Sequence, residues 1–292
     1  MKHLAFLFSF AGVLLTASSE VRADSSAAVL VAEGLLLDLD AEKGITVEDG
    51  NWVVAWKNQV SHSLARDFVK RDEGREEKGS GRPQLVKNVD AIGGRSTISF
   101  RSDELINHEE DVFDHLTTGS GYTWLAVMTP YEQATGVPDV NAFLGNLTNG
   151  WPYSGFWGAL EDDNDLWVGS RVGTQRKRER FSPENPKVMG PRLQANQYYV
   201  VAARMGSGTG IVKIESFVDS VTPFDTADFP VDVDANASKL AIGTERDATN
   251  HPGAESFDGE LARVLVYERS LSDKELQQTI DSLRKIYSLE EE

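Results

Sequence analysis

The chain has 292 residues, with 29 lysine and arginine residues against 46 aspartate and glutamate residues, which gives a formal net charge of −17. Apolar residues make up 40% of the sequence and charged residues 26%, values typical of a globular protein with a sizeable core and not of a disordered chain. The acidic excess disfavours nucleic acid and anionic lipid as general partners. The absence of cysteine excludes disulfides, thiolate metal sites and cysteine nucleophiles.

The first 23 residues have the pattern of a secretory signal peptide. Lys2 supplies a positive charge, a 12-residue apolar run extends from Leu4 to Leu15, and Val21 and Ala23 supply small residues for a cleavage site. Twelve apolar residues fall short of the ~20 that span a bilayer. We therefore expect residues 1–23 to be removed, residues 24–33 to form a linker, and the protein to be exported to the periplasm or the extracellular space without a transmembrane segment.

The body of the chain predicts short β-strands, because segments rich in aromatic and β-branched residues are bounded by turn residues. The strands are predicted at Leu35–Asp40, Trp52–Trp56, Thr97–Phe100, Tyr122–Thr129, Ala142–Leu144, Phe156–Leu160, Leu166–Gly169, Tyr198–Met205, Ile211–Val218, Leu240–Gly243 and Leu261–Tyr267. Tyr198–Met205 and Ile211–Val218 flank a glycine-rich turn, and Phe156–Leu160 and Leu166–Gly169 flank an acidic turn. Each of these two pairs of strands predicts a β-hairpin. Strands without interleaved helices favour an all-β sandwich of two sheets over a parallel α/β sheet.

Two stretches look like insertions between these strands. Residues 66–82 mix charges of both signs, which predicts a mobile surface loop or a short exposed helix. Residues 171–192 contain the basic run Arg176 to Arg180. That run is either a docking patch for an anionic polysaccharide or a solvated loop, and charge runs in general favour the loop.

The end of the chain predicts one amphipathic helix. Ser272 and Glu275 have the spacing of a capping box, and Leu271 and Leu276 that of a hydrophobic staple. Apolar residues then recur at helical spacing and form one stripe, at Leu276, Ile280, Leu283 and Tyr287. The helix is expected to pack against the strands, and residues 290–292 to form a solvated acidic tail.

Taken in order, several segments resemble one known family. The opening Leu35 to Ala41, the Trp52 and Trp56 strand and the Tyr122 to Val127 strand precede a closing segment that runs from Phe257 to Glu275. Together they are similar to the LamG-like jellyroll group of the concanavalin A-like lectin/glucanase superfamily, in its exported bacterial form. The resemblance covers about residues 34–289. It implies one domain: a jellyroll sandwich of two antiparallel sheets with the C-terminal helix packed on it.

One departure from the family pattern is visible after the Ile211–Val218 strand. Relatives often turn there on Asp-Gly, whereas this chain has Asp219 and Ser220. Because glycine is the residue that adopts a positive φ most readily, the sequence disfavours a tight left-handed turn at this point.

Acidic residues between two predicted strands are the candidates for catalysis or metal binding. A retaining glycosidase needs two carboxyls about 5–5.5 Å apart, and Glu161 and Asp163 are weak candidates for such a pair. Asp163 and Asp165 are candidate calcium ligands, because this segment concentrates the oxygen ligands that calcium prefers. The resemblance implies one calcium in many LamG-like modules, but that site does not match these residues one by one. The alternative is that these acidic residues only form a hairpin turn, in which aspartate and asparagine are common. Asp232, Asp234 and Asn236 repeat the alternating pattern, but neither segment is an EF-hand loop.

The segment 151–157 offers the best hint of a ligand surface. Its aromatic residues either fill the core or stack on the flat C–H faces of sugar rings. We expect Phe156 to be in the core, and we take Trp151 and Tyr153, which lie in a loop bounded by glycine and proline, as candidate ligand-binding residues.

The sequence contains neither an H-E-x-x-H nor a G-x-S-x-G pattern. Together with the resemblance, this favours a non-catalytic recognition module. Its expected partner is a polysaccharide or a surface glycoprotein, with calcium as the one candidate cofactor. Two alternatives stay open: a glycan-cleaving enzyme of concanavalin A-like fold, and a structural part of a surface assembly whose protein partner is unknown.

Overall fold

A computed structural model describes residues 30–70, 83–109, 111–133, 140–148, 153–171, 186–245 and 255–289. The predicted signal peptide and the acidic tail lie outside these ranges. The strands are β1 Leu35–Asp40, β2 Ile45–Glu48, β3 Trp52–Lys57, β4 Asp67–Lys70, β5 Gln84–Val89, β6 Arg95–Arg101, β7 Leu105–Asn107, β8 Tyr122–Pro130, β9 Asn141–Gly145, β10 Gly155–Leu160, β11 Asp165–Arg171, β12 Val188–Arg192, β13 Tyr199–Met205, β14 Ile211–Val218, β15 Asp225–Pro230, β16 Ala241–Ile242 and β17 Asp258–Tyr267. One α-helix, α1, covers Asp273–Ile286 of the described chain. The protein is therefore mostly β, as the sequence predicts.

Antiparallel ladders join the strands into one strip that nearly closes on itself. The last strand, β17, lies at its centre, with β6 and β1 sharing one of its edges and β8 pairing along the other. The strip continues from β8 through β13 and β14 to β15, and from β6 through β5, β3, β4, β7, β16, β9, β10 and β11 to β12. The ends meet where the Met189 N–H of β12 donates to Asp225 Oδ2 of β15 at 3.0 Å.

Strand β8 shows how the core is divided. Successive side chains of a strand point to opposite faces, and every residue of β8 is buried. Trp124 and Met128 belong to a large cluster that also contains Phe143 of β9. Leu125 and Val127, on the other face, belong to a second cluster formed with α1. The sheet around β8 is therefore covered by strands on one face and by the helix on the other.

The predicted helix is confirmed in its start, its packing face and its cap. The Ser272 side chain accepts from the Glu275 N–H, and the Glu275 carboxylate accepts from the Ser272 N–H, which completes the capping box. The apolar stripe is buried against β8, β13, β14 and β17. No helix of the described residues is long and apolar enough to cross a bilayer.

Arg263 is the polar interruption in the apolar stretch Leu261–Tyr267 of strand β17, and it is buried at 8% exposure. Its guanidinium makes two parallel hydrogen bonds of 2.8 Å to the Asp38 carboxylate on the neighbouring β1. A planar guanidinium matches a carboxylate in this two-point geometry. The arginine thus joins the first strand to the last.

Six strands of the structure are absent from the predicted set: β2, β4, β5, β7, β12 and β15. The prediction that residues 66–82 and 171–192 are insertions is wrong at β4 and β12, each of which completes a ladder. Residues 71–82 and 172–185 lie outside the described chain. Strand β15 (DTADFP) is poor in β-forming residues and is held by its pairing with β14.

The expectation about the turn after β14 is also wrong. Asp219 adopts a φ of 52°, in the left-handed region, without a glycine. Its Oδ1 accepts from the Val200 N–H at 2.9 Å. Aspartate visits this region because its short side chain can bond nearby backbone, and here it bonds the adjacent strand.

Candidate functional site

The acidic residues of the candidate site form the turn between β10 and β11. The Glu161 N–H donates to the Asp165 carbonyl and the Asn164 N–H to the Glu161 carbonyl, both at 2.9 Å. Asn164 has a φ of 68°, a conformation that asparagine tolerates well. The interpretation of this segment as a hairpin turn is confirmed. We refer to residues 161–165 as the acidic turn.

Amide side chains fix the acidic turn to its surroundings. The Asn141 Nδ2 group of β9 donates to the Leu160 carbonyl at 3.1 Å and to Asp162 Oδ1 at 3.2 Å. The Asn164 Nδ2 group donates to the Tyr131 carbonyl, beyond the end of β8, at 3.0 Å. The turn is therefore held from two strands and does not depend on a ligand for its shape.

Three carboxylates converge at the acidic turn, together with two cations. One oxygen from each of Glu161, Asp163 and Asp165 lies within 4.8 Å of the others. Arg192 of β12 contacts Asp163 and lies 3.0 Å from Asp165, while Lys187 Nζ lies 3.5 Å from Glu161 Oε1. The hydrogen bond to Asp165 and the charge of Asp163 raise the pKa of Arg192 further above its usual range. These cations offset most of the charge that would attract a metal ion.

The aromatic candidates separate into buried and accessible side chains. Phe156 is fully buried and stacks on Tyr122, with ring centroids 4.9 Å apart. Trp157 is buried on the opposite face of β10, edge-on to Trp167. Tyr153 is half-buried just before β10, with a φ of 47°. Trp151 lies outside the described residues, so its role stays a prediction.

Three basic residues near these candidates were missed by the sequence reasoning. The Arg171 guanidinium lies 5.2 Å from the centroid of the Tyr153 ring, a cation–π distance. Lys187 and Arg192 face the acidic turn from residues 171–192, for which the sequence predicts a loop. A strand assignment for β12 would have placed Arg192 opposite Asp165, but glycine and proline within that strand hide its pattern.

The second alternating acidic segment has a structural role. Asp232 Oδ1 accepts from the Asp234 N–H at 3.0 Å, which closes a local turn. The Asn236 amide lies 2.9 Å from Asp114 Oδ2. Among the residues that the structure describes, the group of three carboxylates that converge at the acidic turn does not include Asp232 or Asp234.

No protein-family model matches the sequence, and no curated protein is similar to it. Among solved structures, the chain is similar to Trypanosoma rangeli sialidase in complex with 2,3-difluorosialic acid, a covalent intermediate, at 15% identity and a TM-score of 0.51. The match covers 89% of this chain and 34% of that one. The same sialidase in complex with 2,3-difluoro-KDN matches at 13% identity and a TM-score of 0.50, over 86% of this chain and 33% of that one. The chain therefore spans about a third of the sialidase, and at these identities the similarity concerns the fold.

Proposed function

We propose that this protein is an exported, non-catalytic module that binds glycans, and that its strands form a LamG-like jellyroll sandwich of two sheets. The observation that carries the proposal is the partial exposure of Tyr153, beside two aromatic side chains, Phe156 and Trp157, that are buried. An accessible phenol ring offers an apolar face to a sugar and a hydroxyl for hydrogen bonding. Trp151, two residues away in the sequence, is proposed as a second ligand-binding residue on the basis of the sequence alone.

The charge next to Tyr153 favours an anionic sugar. Arg171 places a guanidinium beside the ring, and a guanidinium binds carboxylate and sulfate groups in a planar, two-point geometry. The basic run Arg176 to Arg180 follows in the sequence. The fold similarity to part of a sialidase, whose structures contain sialic acid analogues, supports the same class. We therefore propose sialic-acid- or uronate-bearing polysaccharides and glycoproteins as ligands.

The test is binding to an array of acidic and neutral glycans, followed by calorimetric titration of each hit. Tyr153→Ala and Trp151→Ala are each expected to weaken binding about tenfold, or ~1.4 kcal/mol, because an aromatic stacking face is lost. Phe224→Ala, which removes an exposed aromatic ring elsewhere, should leave the affinity unchanged. Clean negatives across the array would overturn the proposal. New reducing ends that disappear in Glu161→Gln would instead establish the glycan-cleaving alternative.

We further propose the acidic turn as a weak calcium site with Asp163 and Asp165 as ligands. The 4.8 Å spread of the three oxygens is about twice a calcium–oxygen distance of ~2.4 Å. Arg192 contacts the same two carboxylates and must leave when the ion binds. The dissociation constant is therefore expected at the weak, extracellular end of the range, about 10⁻⁴–10⁻³ M.

Calorimetric titration with calcium chloride tests this site. Arg192→Ala should tighten calcium binding, because a competing cation is removed, and Asp163→Asn should abolish it. Asp228→Asn, which alters an exposed carboxylate paired with Lys213, is the matched control. Equal titration curves for the wild type, Arg192→Ala and Asp163→Asn would show that the turn holds no calcium.

A further inference from the structure

The sheet face that packs against α1 extends beyond the end of the helix. There its side chains are mainly polar, whereas beneath the helix they are mainly aliphatic. The helix ends over β6, where the Arg95 Nε–H donates to the Ile286 carbonyl at 2.6 Å. On β8 the residues of this face are Leu125 and Val127 beneath the helix, and the period-two pattern continues through Thr129. The continuation carries hydroxyls, phenols, a carboxylate and a guanidinium in place of aliphatic side chains. Its residues, which we call the Glu260 cluster, are Thr97, Ser99, Arg101, Tyr131, Tyr198 and Glu260.

Glu260 is the centre of the cluster. It lies on β17, opposite Ser99 of β6 on one side and Thr129 of β8 on the other. Its carboxylate accepts from the Tyr131 and Tyr198 hydroxyls and from the Thr97 hydroxyl, the last at 2.6 Å. All three donors are neutral, and within the described residues no lysine or arginine lies within ion-pair distance of this carboxylate.

The two tyrosines donate to different oxygens of the Glu260 carboxylate, Tyr131 to Oε1 and Tyr198 to Oε2, and each is only partly buried. Burial, with the neighbouring carboxylate as a further cause, raises the pKa of Tyr131 to about 12 and raises that of Tyr198 as well. Both phenols are therefore protonated at neutral pH. Their hydrogens point to Glu260, and the Tyr131 oxygen in turn lies 3.3 Å from the Ser99 hydroxyl.

Arg101 supplies the donors at the edge of the cluster. It is exposed at the end of β6, and its guanidinium carbon lies 3.9 Å from the centroid of the Tyr131 ring. Stacking on the ring holds the guanidinium in place while its N–H groups stay at the surface. The cluster thus has a hydrogen-bond acceptor, the Glu260 carboxylate, at its centre and the N–H donors of Arg101 at one side.

The hydrogen-bonding capacity of the cluster exceeds what its own members use. An ionised carboxylate has about four lone-pair sites, and three hydroxyls occupy sites on Glu260. The remaining carboxylate site and the exposed N–H groups of Arg101 match a ligand that has several adjacent hydroxyls. A ligand of this kind both donates to the carboxylate and accepts from the guanidinium.

We propose that the Glu260 cluster is a second binding site for saccharide hydroxyls, on a different strand set from Tyr153 and beside the C-terminal helix. The ligand class, a neutral sugar, rests on the proposed glycan-binding function, whereas the location rests on the contacts of Glu260. With two sites on one domain, the module binds two sugars of one chain or of two neighbouring chains, which raises its avidity for dense glycans.

The experiment is saturation-transfer NMR with a panel of neutral disaccharides at millimolar concentration, followed by titration of any that bind. Tyr131→Phe removes one hydroxyl and Arg101→Ala one exposed donor group, so both are expected to fold, as a thermal melt checks. Each should raise the dissociation constant about 3- to 10-fold, the loss of one or two hydrogen bonds. Lys213→Ala removes an exposed cation from the same sheet face and should leave binding unchanged.

The outcomes separate this site from the Tyr153 site. Disaccharide binding that persists in Tyr153→Ala and weakens in Tyr131→Phe and Arg101→Ala would establish the second site. Binding that is lost in Tyr153→Ala and unaffected by the two cluster variants would overturn the second site and leave the proposed function intact. If neither a neutral nor an acidic sugar bound the wild type, the proposed function and the second site would fall together.

Discussion

The Asn58 side chain makes four hydrogen bonds to the backbone of other residues. It is 3% exposed, and its Oδ1 accepts from the Asp38 and Val60 N–H groups at 2.9 and 3.0 Å. Its Nδ2 group donates to the carbonyls of Leu36 and Ala65 at 3.0 and 2.8 Å. These four bonds use the full capacity of an amide side chain. One side chain therefore holds β1 to the segment that follows β3.

Asn58→Ala is expected to destabilise the protein by at least about 2 kcal/mol, because four buried backbone groups lose their partner at once. Urea denaturation of the wild type and the variant measures the difference. Gln59→Ala, one residue away on the exposed side, should change the free energy of unfolding by no more than roughly 0.5 kcal/mol. A small effect of Asn58→Ala, of that same order, would show that other groups or water replace the amide.

At the scale of elements, α1 begins with a charged arrangement as well as a cap. The Glu275 carboxylate accepts from Arg269 at 2.7 and 3.0 Å, in addition to its bonds with Ser272. These hydrogen bonds, those of Arg269 first, lower the pKa of Glu275 to about 2. The start of the helix is therefore stabilised by the ionised form of this residue.

The stabilising effect of Glu275 is expected to depend on pH. Its folded-state pKa lies below the ordinary value of 4.5, so the stabilisation is complete above that value and is lost as the pH falls towards 2. The melting temperature of Glu275→Gln should lie below that of the wild type at pH 7, and the difference should shrink by pH 2.5. Asp281→Asn, on the exposed side of the same helix, is the control. A difference that is the same at both pH values would contradict the assignment.

Elements with local signals were predictable from the sequence, and elements made by long-range pairing were not. The helix carries its own start signal and apolar stripe, and the hairpin around residues 161–165 carries turn residues between two apolar runs. By contrast, β4, β12 and β15 are charged or contain proline, and they are strands because a neighbouring strand offers its backbone. The contact of Arg192 with the acidic turn was not predictable for the same reason. It depends on the pairing of β12 with β11, which places Arg192 opposite Asp165.

At the scale of the whole molecule, the two main apolar clusters lie on opposite faces of a shared sheet. Ile98 of β6 belongs to the cluster between the strands, and Ile280 of α1 to the cluster beneath the helix. Both side chains are fully buried. The backbone of the sheet separates them, so side chains of one cluster cannot move to fill a cavity in the other.

Ile98→Val and Ile280→Val should each cost about 0.5–1.5 kcal/mol. The double variant should cost their sum within about 0.5 kcal/mol, as expected for sites that share no partner. Chemical denaturation of the four proteins in this cycle supplies the comparison. A larger interaction energy would indicate that helix and strands repack together. The pair Ile280→Val and Leu283→Val, within one cluster, shows how strong such coupling becomes when side chains are neighbours.

The central position of β17 has a consequence for how the molecule folds. The strand that joins β1, β6 and β8 comes after all three in the sequence, so these strands have no common partner until residues 258–267 have been synthesised. Contacts between such distant parts of a chain form slowly, because long loops must close first. A ribosome-bound chain that ends before β17 should therefore remain sensitive to protease, and resistance should arise when the final helix has emerged.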